Sequence, residues 1–295
     1  MTEEQGKPLK EAIGEVDYAN GYISWYAEEG KRIYGDILPA SHRHKRLFVT
    51  KQPVGVVAAI TPWNFPAAMI TRKVGPAMAA GCTVVVKPAS QTPLTAFKLV
   101  ELAEAAGVPK GVINVITGSS RQIGEVWTQD SRVRKLTFTG STGVGKQLMK
   151  DSADTMKKIS LELGGHAPFI ITKDADLDKA VNGVVMSKFR NAGQTCVCTN
   201  RVYVHASIEE AFNDKLRETV SGLNMGNGLE SDTDIGPLID DSAVETVDNQ
   251  VKDAVDRGGT LVCGGDRGEG LFYQPTVVTG VSDEMLCMHE ETFGP

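Results

Sequence analysis

Val54-Gly55-Val56-Val57-Ala58-Ala59-Ile60 is a continuous apolar run ended by Pro62, and Thr83-Val84-Val85-Val86 is another, ended by Pro88. Two more follow: Val112-Ile113-Asn114-Val115-Ile116 before Gly118, and Lys135-Leu136-Thr137-Phe138-Thr139 before Gly140. Runs this short, β-branched and bounded by turn residues suit strands buried on both faces. Helical patterns separate them at residues 66–80, 92–106 and 120–129, the second opening on the cap and first-turn proline Thr92-Pro93. The β-α-β-α order predicts an α/β fold with a parallel, doubly wound sheet. In such sheets ligands bind at the carboxyl ends of the strands.

Outward from this block, residues 9–34 read as a helix and residues 36–50 as an extended arm or hairpin. The basic cluster His42-Arg43-His44-Lys45-Arg46 in that arm reads as a solvated loop. Downstream a second unit is expected: a strand at 168–171, a helix from Leu177 to Asn191, and a strand at Val202-Tyr203-Val204. Helices near 208–221 and 242–257 and a strand near 275–279 complete it. Glu162-Leu163-Gly164-Gly165 reads as the junction, which gives expected domains of 1–162 and 163–295. The chain stops at a turn signal, Glu290-Glu291-Thr292-Phe293-Gly294-Pro295, so it is expected to be a fragment.

Composition narrows the function. The chain has 295 residues, 41% hydrophobic and 23% charged, which is ordinary for a soluble globular protein. A net charge of −6 argues against nucleic acid as a partner, since phosphate binding wants a basic surface. No apolar run approaches the roughly 18 residues of a membrane span. The polar start, Met1 to Lys10, carries no apolar signal region, so the expected location is intracellular. Cysteines 82, 196, 198, 263 and 287 are odd in number and lack zinc spacing, which favours free thiols and no metal.

Four places carry chemistry. Cys196 ends the polar turn Gly193-Gln194-Thr195-Cys196, 34 positions after Glu162 in Leu161-Glu162-Leu163-Gly164-Gly165. A thiol and a carboxylate suggest covalent catalysis, in which the thiol attacks and the acid manages proton and water. Cys198, with the same neighbourhood, reads as structural or redox-responsive. Asn64 in Thr61-Pro62-Trp63-Asn64-Phe65-Pro66 offers an amide NH2 to an oxyanion, or caps a helix. Gly140-Ser141-Thr142-Gly143-Val144-Gly145-Lys146 reads as a phosphate contact at a helix start or as a plain glycine-rich turn. Gln147 stands where a P-loop needs a hydroxyl for Mg²⁺, which argues against a magnesium-dependent NTPase. Lys87 in Lys87-Pro88-Ala89-Ser90 can reach a ribose hydroxyl or a phosphate. Neutral Ser90 stands where an acid would repel a 2′-phosphate.

Trp63-Asn64-Phe65-Pro66, Phe138-Thr139-Gly140-Ser141-Thr142, Glu162-Leu163-Gly164-Gly165, Gly193-Gln194-Thr195-Cys196 and the closing Glu290–Pro295 run together resemble the aldehyde dehydrogenase superfamily. The resemblance implies a Rossmann-like cofactor domain and an α/β catalytic domain, both incomplete here. It implies Cys196 as nucleophile, Asn64 as oxyanion donor and Glu162 as the base that hydrolyses a thioester. It implies NADP or NAD contacts at Trp63, Lys87, Ser90, Gly140, Ser141, Leu163, Glu291 and Phe293, with NADP favoured because of Ser90. Within the superfamily, Ala68–Lys73, Ser187–Asn191 and Cys196-Val197-Cys198 resemble succinate-semialdehyde dehydrogenases, in which Arg72 and Arg190 match carboxylate-binding arginines. A fixed guanidinium fork suits such a substrate. Cys198 matches the second cysteine of a redox-sensitive pair. The arm at 36–50 resembles a bridging arm, which implies a homo-oligomer, dimer or tetramer. The implied location is the cytoplasm, or the mitochondrial matrix where a transit peptide precedes. The alternative expectation is a truncated, non-catalytic dinucleotide-binding or structural protein of the same family.

Overall fold

The computed structural model describes residues 1–295, which divide into two compact units: residues 14–163, and residues 1–13 with 164–295. Helix α1 (Leu9–Glu29) crosses that division; the expected helix to residue 34 ends early, followed by a 3-10 turn at Gly30–Arg32. The expected arm is an antiparallel hairpin, β1 (Asp36–Leu38) and β2 (Leu47–Val49), with Ile37 opposite Phe48 and both exposed.

The 14–163 unit then runs β3 (Val56–Ile60), α2 (Ala68–Ala79), β4 (Val84–Lys87), α3 (Pro93–Ala105), β5 (Ile113–Val115), α4 (Ser120–Gln129), β6 (Val133–Thr139), α5 (Thr142–Asp151) and β7 (Lys158–Glu162). The five strands β3 to β7 form one parallel sheet in the order β5-β4-β3-β6-β7. The chain winds one way from β3 through β5 and the other way from β6 through β7, so the switch point lies between β3 and β6. Side chains alternate across a strand. Val57 and Ala59 therefore join Ile70 and Val74 of α2 and Ala96 of α3 on one face. Ala58 joins Trp127 of α4 and Leu148 of α5 on the other. Helices on both faces explain why β3 is apolar throughout and β4 apolar up to its last residue, Lys87. Edge strand β7 is half-exposed along its length and reads as Lys158-Ile159-Ser160-Leu161-Glu162, so no continuous apolar run marks it.

The other unit continues with β8 (Ala167–Ile171), α6 (Leu177–Lys188), β9 (Thr199–Val204), α7 (Glu209–Ser221), α8 (Asp241–Asp256), β10 (Thr260–Cys263) and β11 (Val277–Thr279). Strands β8 and β9 pair in parallel, and β10 and β11 antiparallel. Its core gathers Val181 and Val184 of α6, Phe212 and Leu216 of α7, and Val244 and Val247 of α8. A cavity of about 480 Å³ is lined by consecutive residues 199–204 and 276–281, so the unpaired edges of β9 and β11 face it.

Residues 1–13 belong with this unit, whereas the sequence expectation placed them with the first. The Leu9 amide donates to the Gly228 carbonyl at 2.8 Å, and the Lys10 ammonium meets Asp234 at 2.5 Å. Gly6, at φ +96°, lies so close to Pro237 that a Cβ would sit 2.7 Å from its ring. All three partners lie more than 200 positions away, and no local pattern carries such contacts. No helix is long and apolar enough to cross a membrane.

Candidate active site

Within the 14–163 unit, the parallel register brings several candidates to one edge. Ile60 pairs with Lys87 and with Phe138, and Thr139 pairs with Glu162. The turn Thr61–Asn64, Lys87, Gly140 and Glu162 therefore all lie at the carboxyl ends of adjacent strands. The Gly140 amide donates to the Glu162 carbonyl at 3.1 Å, continuing the β6–β7 ladder to its last rung.

Asn64 is buried, and its Oδ1 accepts from the Phe65 amide at 3.1 Å, which orients the side-chain amide. The capping alternative for Asn64 is resolved: α2 starts after Ala67 and is capped from elsewhere. Glu15 of α1, 3% exposed, accepts the Ala67 and Ala68 amides at 2.8 and 3.2 Å. A carboxylate on the orphan N–H groups of a helix start also complements the helix dipole. Trp63, half-buried, precedes Asn64 in the same turn.

Glu162 is exposed at the end of β7 and pairs with Arg72 of α2 at 3.3 Å. Arg72 also lies 6.0 Å from the centre of the Tyr22 ring. Beside it, Lys73 is 6% exposed and donates to Thr137 Oγ1 at 3.1 Å. Burial drives its pKa down to about 7; the Arg72 charge pushes the same way and Glu162 opposes. A lysine so placed can exchange a proton near neutral pH. Sequence reasoning missed Lys73 and Glu15, because charged residues within helical patterns look solvent-facing.

The remaining candidates of this unit surround the same edge. Lys87 is buried, donates to the Pro88 carbonyl at 2.9 Å, and has its pKa lowered by desolvation. Ser90 is exposed. Exposed Ser141 is the N-cap of α5 but makes no side-chain cap, so its hydroxyl does not occupy that helix start. Leu163 packs on α5, where a Cβ on Gly145 would fall 2.4 Å from it.

Within the other unit, Cys196 is half-buried and follows a locked turn. The expected helix to Asn191 stops at Lys188, because Asn191, Ala192 and Gly193 adopt left-handed φ of +54°, +52° and +71°. A Cβ on Gly193 would lie 2.0 Å from the Gly294 carbonyl oxygen. Gln194 accepts the Ile239 amide at 2.9 Å and donates to the carbonyls of Asn191 and Pro237. Cys198 is buried with its thiol donating to the Lys188 carbonyl at 3.3 Å, and no cysteine is in a disulfide. The Lys188 ammonium donates to Asn200 and to the Gly294 carbonyl, each at 2.8 Å. That bond ties the Phe293-Gly294-Pro295 segment to the region after the cysteines. Glu291 accepts the Gly165 amide at 3.3 Å, and burial raises its pKa. A Cβ on Gly164 would fall 2.1 Å from its carboxylate, so a side chain there would displace Glu291. Phe293 is half-buried two residues on. Arg190 is exposed, and its charge acts on Glu11. No group of residues suited to a metal ion is present.

Comparison with known proteins gives a uniform result. The profile of the Aldehyde dehydrogenase family matches residues 1–295. The chain is 59% identical over 297 residues to the NADP(+) succinate-semialdehyde dehydrogenase of Escherichia coli (strain K12), covering 100% of this chain and 62% of that protein. It is 58% identical over 295 residues to the glutarate-semialdehyde dehydrogenase of Pseudomonas putida, again covering 100% and 62%. Among solved structures, an aldehyde dehydrogenase from Brucella melitensis biovar abortus superposes with a TM-score of 0.99 at 57% identity, covering 100% of this chain and 61% of that one. The chain thus spans about 60% of the length of the relatives it matches.

Proposed function

The chain belongs to the aldehyde dehydrogenase family, and from that premise we propose that its residues serve the NADP⁺-linked oxidation of an aldehyde bearing a distal carboxylate, succinate semialdehyde foremost. The observation that carries the reading is the gathering of Asn64, Lys87, Gly140 and Glu162 at one sheet edge beside Arg72. The names of two relatives agree, since succinate and glutarate semialdehydes each pair an aldehyde with a carboxylate.

The cofactor residues suit a dinucleotide. Lys87 presents a cation at the end of β4, Ser90 adds no negative charge, and the α5 start is not blocked by Ser141. When bound, NADP⁺ supplies a hydride acceptor. Glu291 and Phe293 would hold its nicotinamide end, and Trp63 and Leu163 would flank it.

In this reading the Cys196 thiolate adds to the aldehyde carbon, and the carbonyl π electrons move onto oxygen. The Asn64 NH2 and the Cys196 backbone N–H donate to that oxyanion. Collapse of the oxyanion expels hydride and leaves a thioester on Cys196. Glu162 then takes a proton from water, whose oxygen attacks the thioester carbon and displaces the thiolate. Arg72 and Arg190 would hold the substrate carboxylate. Because Arg72 is paired with Glu162 here, a substrate carboxylate would compete with Glu162 and release that base toward water. The enzyme would act as a homo-oligomer in the cytoplasm.

Steady-state assay with succinate semialdehyde and NADP⁺ tests the reading. Cys196→Ala should abolish NADPH formation, and retained turnover would sink the assignment. Arg72→Ala should raise KM for succinate semialdehyde at least tenfold more than for an uncharged aldehyde; equal effects would remove the carboxylate argument. NADPH fluorescence titration separates the alternative, because binding with no turnover by the unaltered chain favours a non-catalytic dinucleotide-binding role.

A further inference from the structure

We propose that Glu11 is a positioning residue for Cys196, acting through the left-handed turn at Asn191–Gly193. This rests on the reading of Cys196 as the nucleophile. Glu11 lies near the start of α1, in the segment that belongs with residues 164–295. Its Oε2 accepts the Asn191 backbone N–H at 2.8 Å. Asn191 is the first of three consecutive left-handed residues, and two of the three carry a Cβ. Each such residue costs about 1 kcal/mol or more, so the turn persists only while its surroundings hold it.

Gln194 bonds the Asn191 carbonyl and side chain from within the local sequence, and Glu11 holds the Asn191 backbone N–H from outside it. Ala192 at φ +52° has no side-chain hydrogen bond to offer. A buried amide at Asn191 left without its acceptor would add about 1–3 kcal/mol. A carboxylate is the stronger acceptor, because charge shortens and strengthens the bond. Three cations surround it: Lys7 and Lys10 from its own segment and Arg190 from the facing turn. Desolvation works against the charge, and the Asn191 bond and these cations work for it.

The turn is coupled to Cys196 by a continuous backbone chain. The Gln194 amide donates to the Asn191 carbonyl at 3.0 Å, and the Thr195 amide to the Gly193 carbonyl at 2.9 Å. The Cys198 amide then donates to the Thr195 carbonyl at 3.2 Å. A rotation at Asn191 is therefore passed through these bonds to Thr195, the residue before Cys196. Glu11 touches neither the thiol nor a reacting atom; it fixes the backbone from which the thiol projects.

The test compares Glu11→Ala, Glu11→Gln and Glu11→Asp with the unaltered chain. Hydrogen exchange is read on the peptide spanning residues 189–197, and alkylation of Cys196 by iodoacetamide is followed by peptide mass mapping. Glu11→Ala should speed exchange in that peptide at least tenfold, with peptides from the 14–163 sheet unchanged. It should also speed Cys196 alkylation at least threefold, because an untethered turn opens more often. Glu11→Gln, which keeps an acceptor without charge, should recover part of both. If Glu11→Ala fails to fold, Glu11→Gln decides alone by the same local exchange. With turnover measurable, kcat should fall at least tenfold with KM for NADP⁺ within twofold. Unchanged exchange and alkylation, or a loss spread evenly over the chain, overturns the proposal. Neither arm needs turnover, so an inactive chain would refute the proposed activity while leaving the Glu11 result to stand or fall on its own.

Discussion

Replacing Lys73 by methionine should stabilise the protein at pH 6 and lose that advantage by pH 10. Lys73 is 6% exposed and its pKa falls from 10.5 to about 7 on folding. Below pH 7 it is charged in both folded and unfolded chains, and the folded state bears the full desolvation cost. Between about 7 and 10.5 the unfolded chain binds the extra proton, so stability rises with pH across that window. Above 10.5 the side chain is neutral in both states and the cost is gone. A shift of that size corresponds to a ceiling of about 5 kcal/mol. Methionine fills a similar volume without charge, and loss of the Thr137 hydrogen bond returns about 1 kcal/mol. The net gain at pH 6 should therefore be about 2–4 kcal/mol, and at pH 10 the variant should be level with the parent or slightly weaker. Urea unfolding of both proteins at the two pH values measures it, and every other titrating group cancels in the difference. A difference that does not change between pH 6 and pH 10 would refute the assignment of a buried, neutral-titrating lysine.

Two further outcomes follow from the backbone. Glu15→Ala should cost about 2–4 kcal/mol in urea unfolding, because it strands two amides at the start of α2, and Glu15→Gln should cost less. Gly193→Ala should cost more than about 2 kcal/mol through its positive φ and the Gly294 carbonyl, whereas Gly143→Ala in α5, with open space around it, should gain up to about 1 kcal/mol. Similar values for the two glycines would contradict the packing described.

The parallel sheet was legible because β3 and β4 are buried on both faces and leave short apolar runs between turn residues, and because β6 is buried from Leu136 to Thr139 just before Gly140. Edge strand β7 and the short β10 escaped notice, because half-exposed strands carry no such run. The candidate residues stood out where reactive groups coincide with a strand end or turn: Asn64 after β3, Lys87 at the end of β4, Gly140 after β6 and Cys196 after the Gly193 turn. What holds those turns was not legible. Glu11 and Glu15 stand four apart on one helix, a spacing that usually marks a solvated face. Their partners lie 180 and about 52 positions away. Left-handed Ala192 likewise has no local signal, since its conformation is imposed by the contacts around it. The same holds for residues 1–13, whose partners near Gly228–Pro237 are distant in sequence.

The central claim is that Cys196 carries the substrate as a thioester which Glu162 clears. Mass spectrometry of Glu162→Gln, quenched after mixing with NADP⁺ and succinate semialdehyde, addresses it directly. The account predicts a succinyl adduct on the peptide containing Cys196, at one per chain and dependent on NADP⁺. The absence of an adduct in a variant that still reduces NADP⁺, or an adduct on Cys198 that persists in Cys196→Ala, would contradict it.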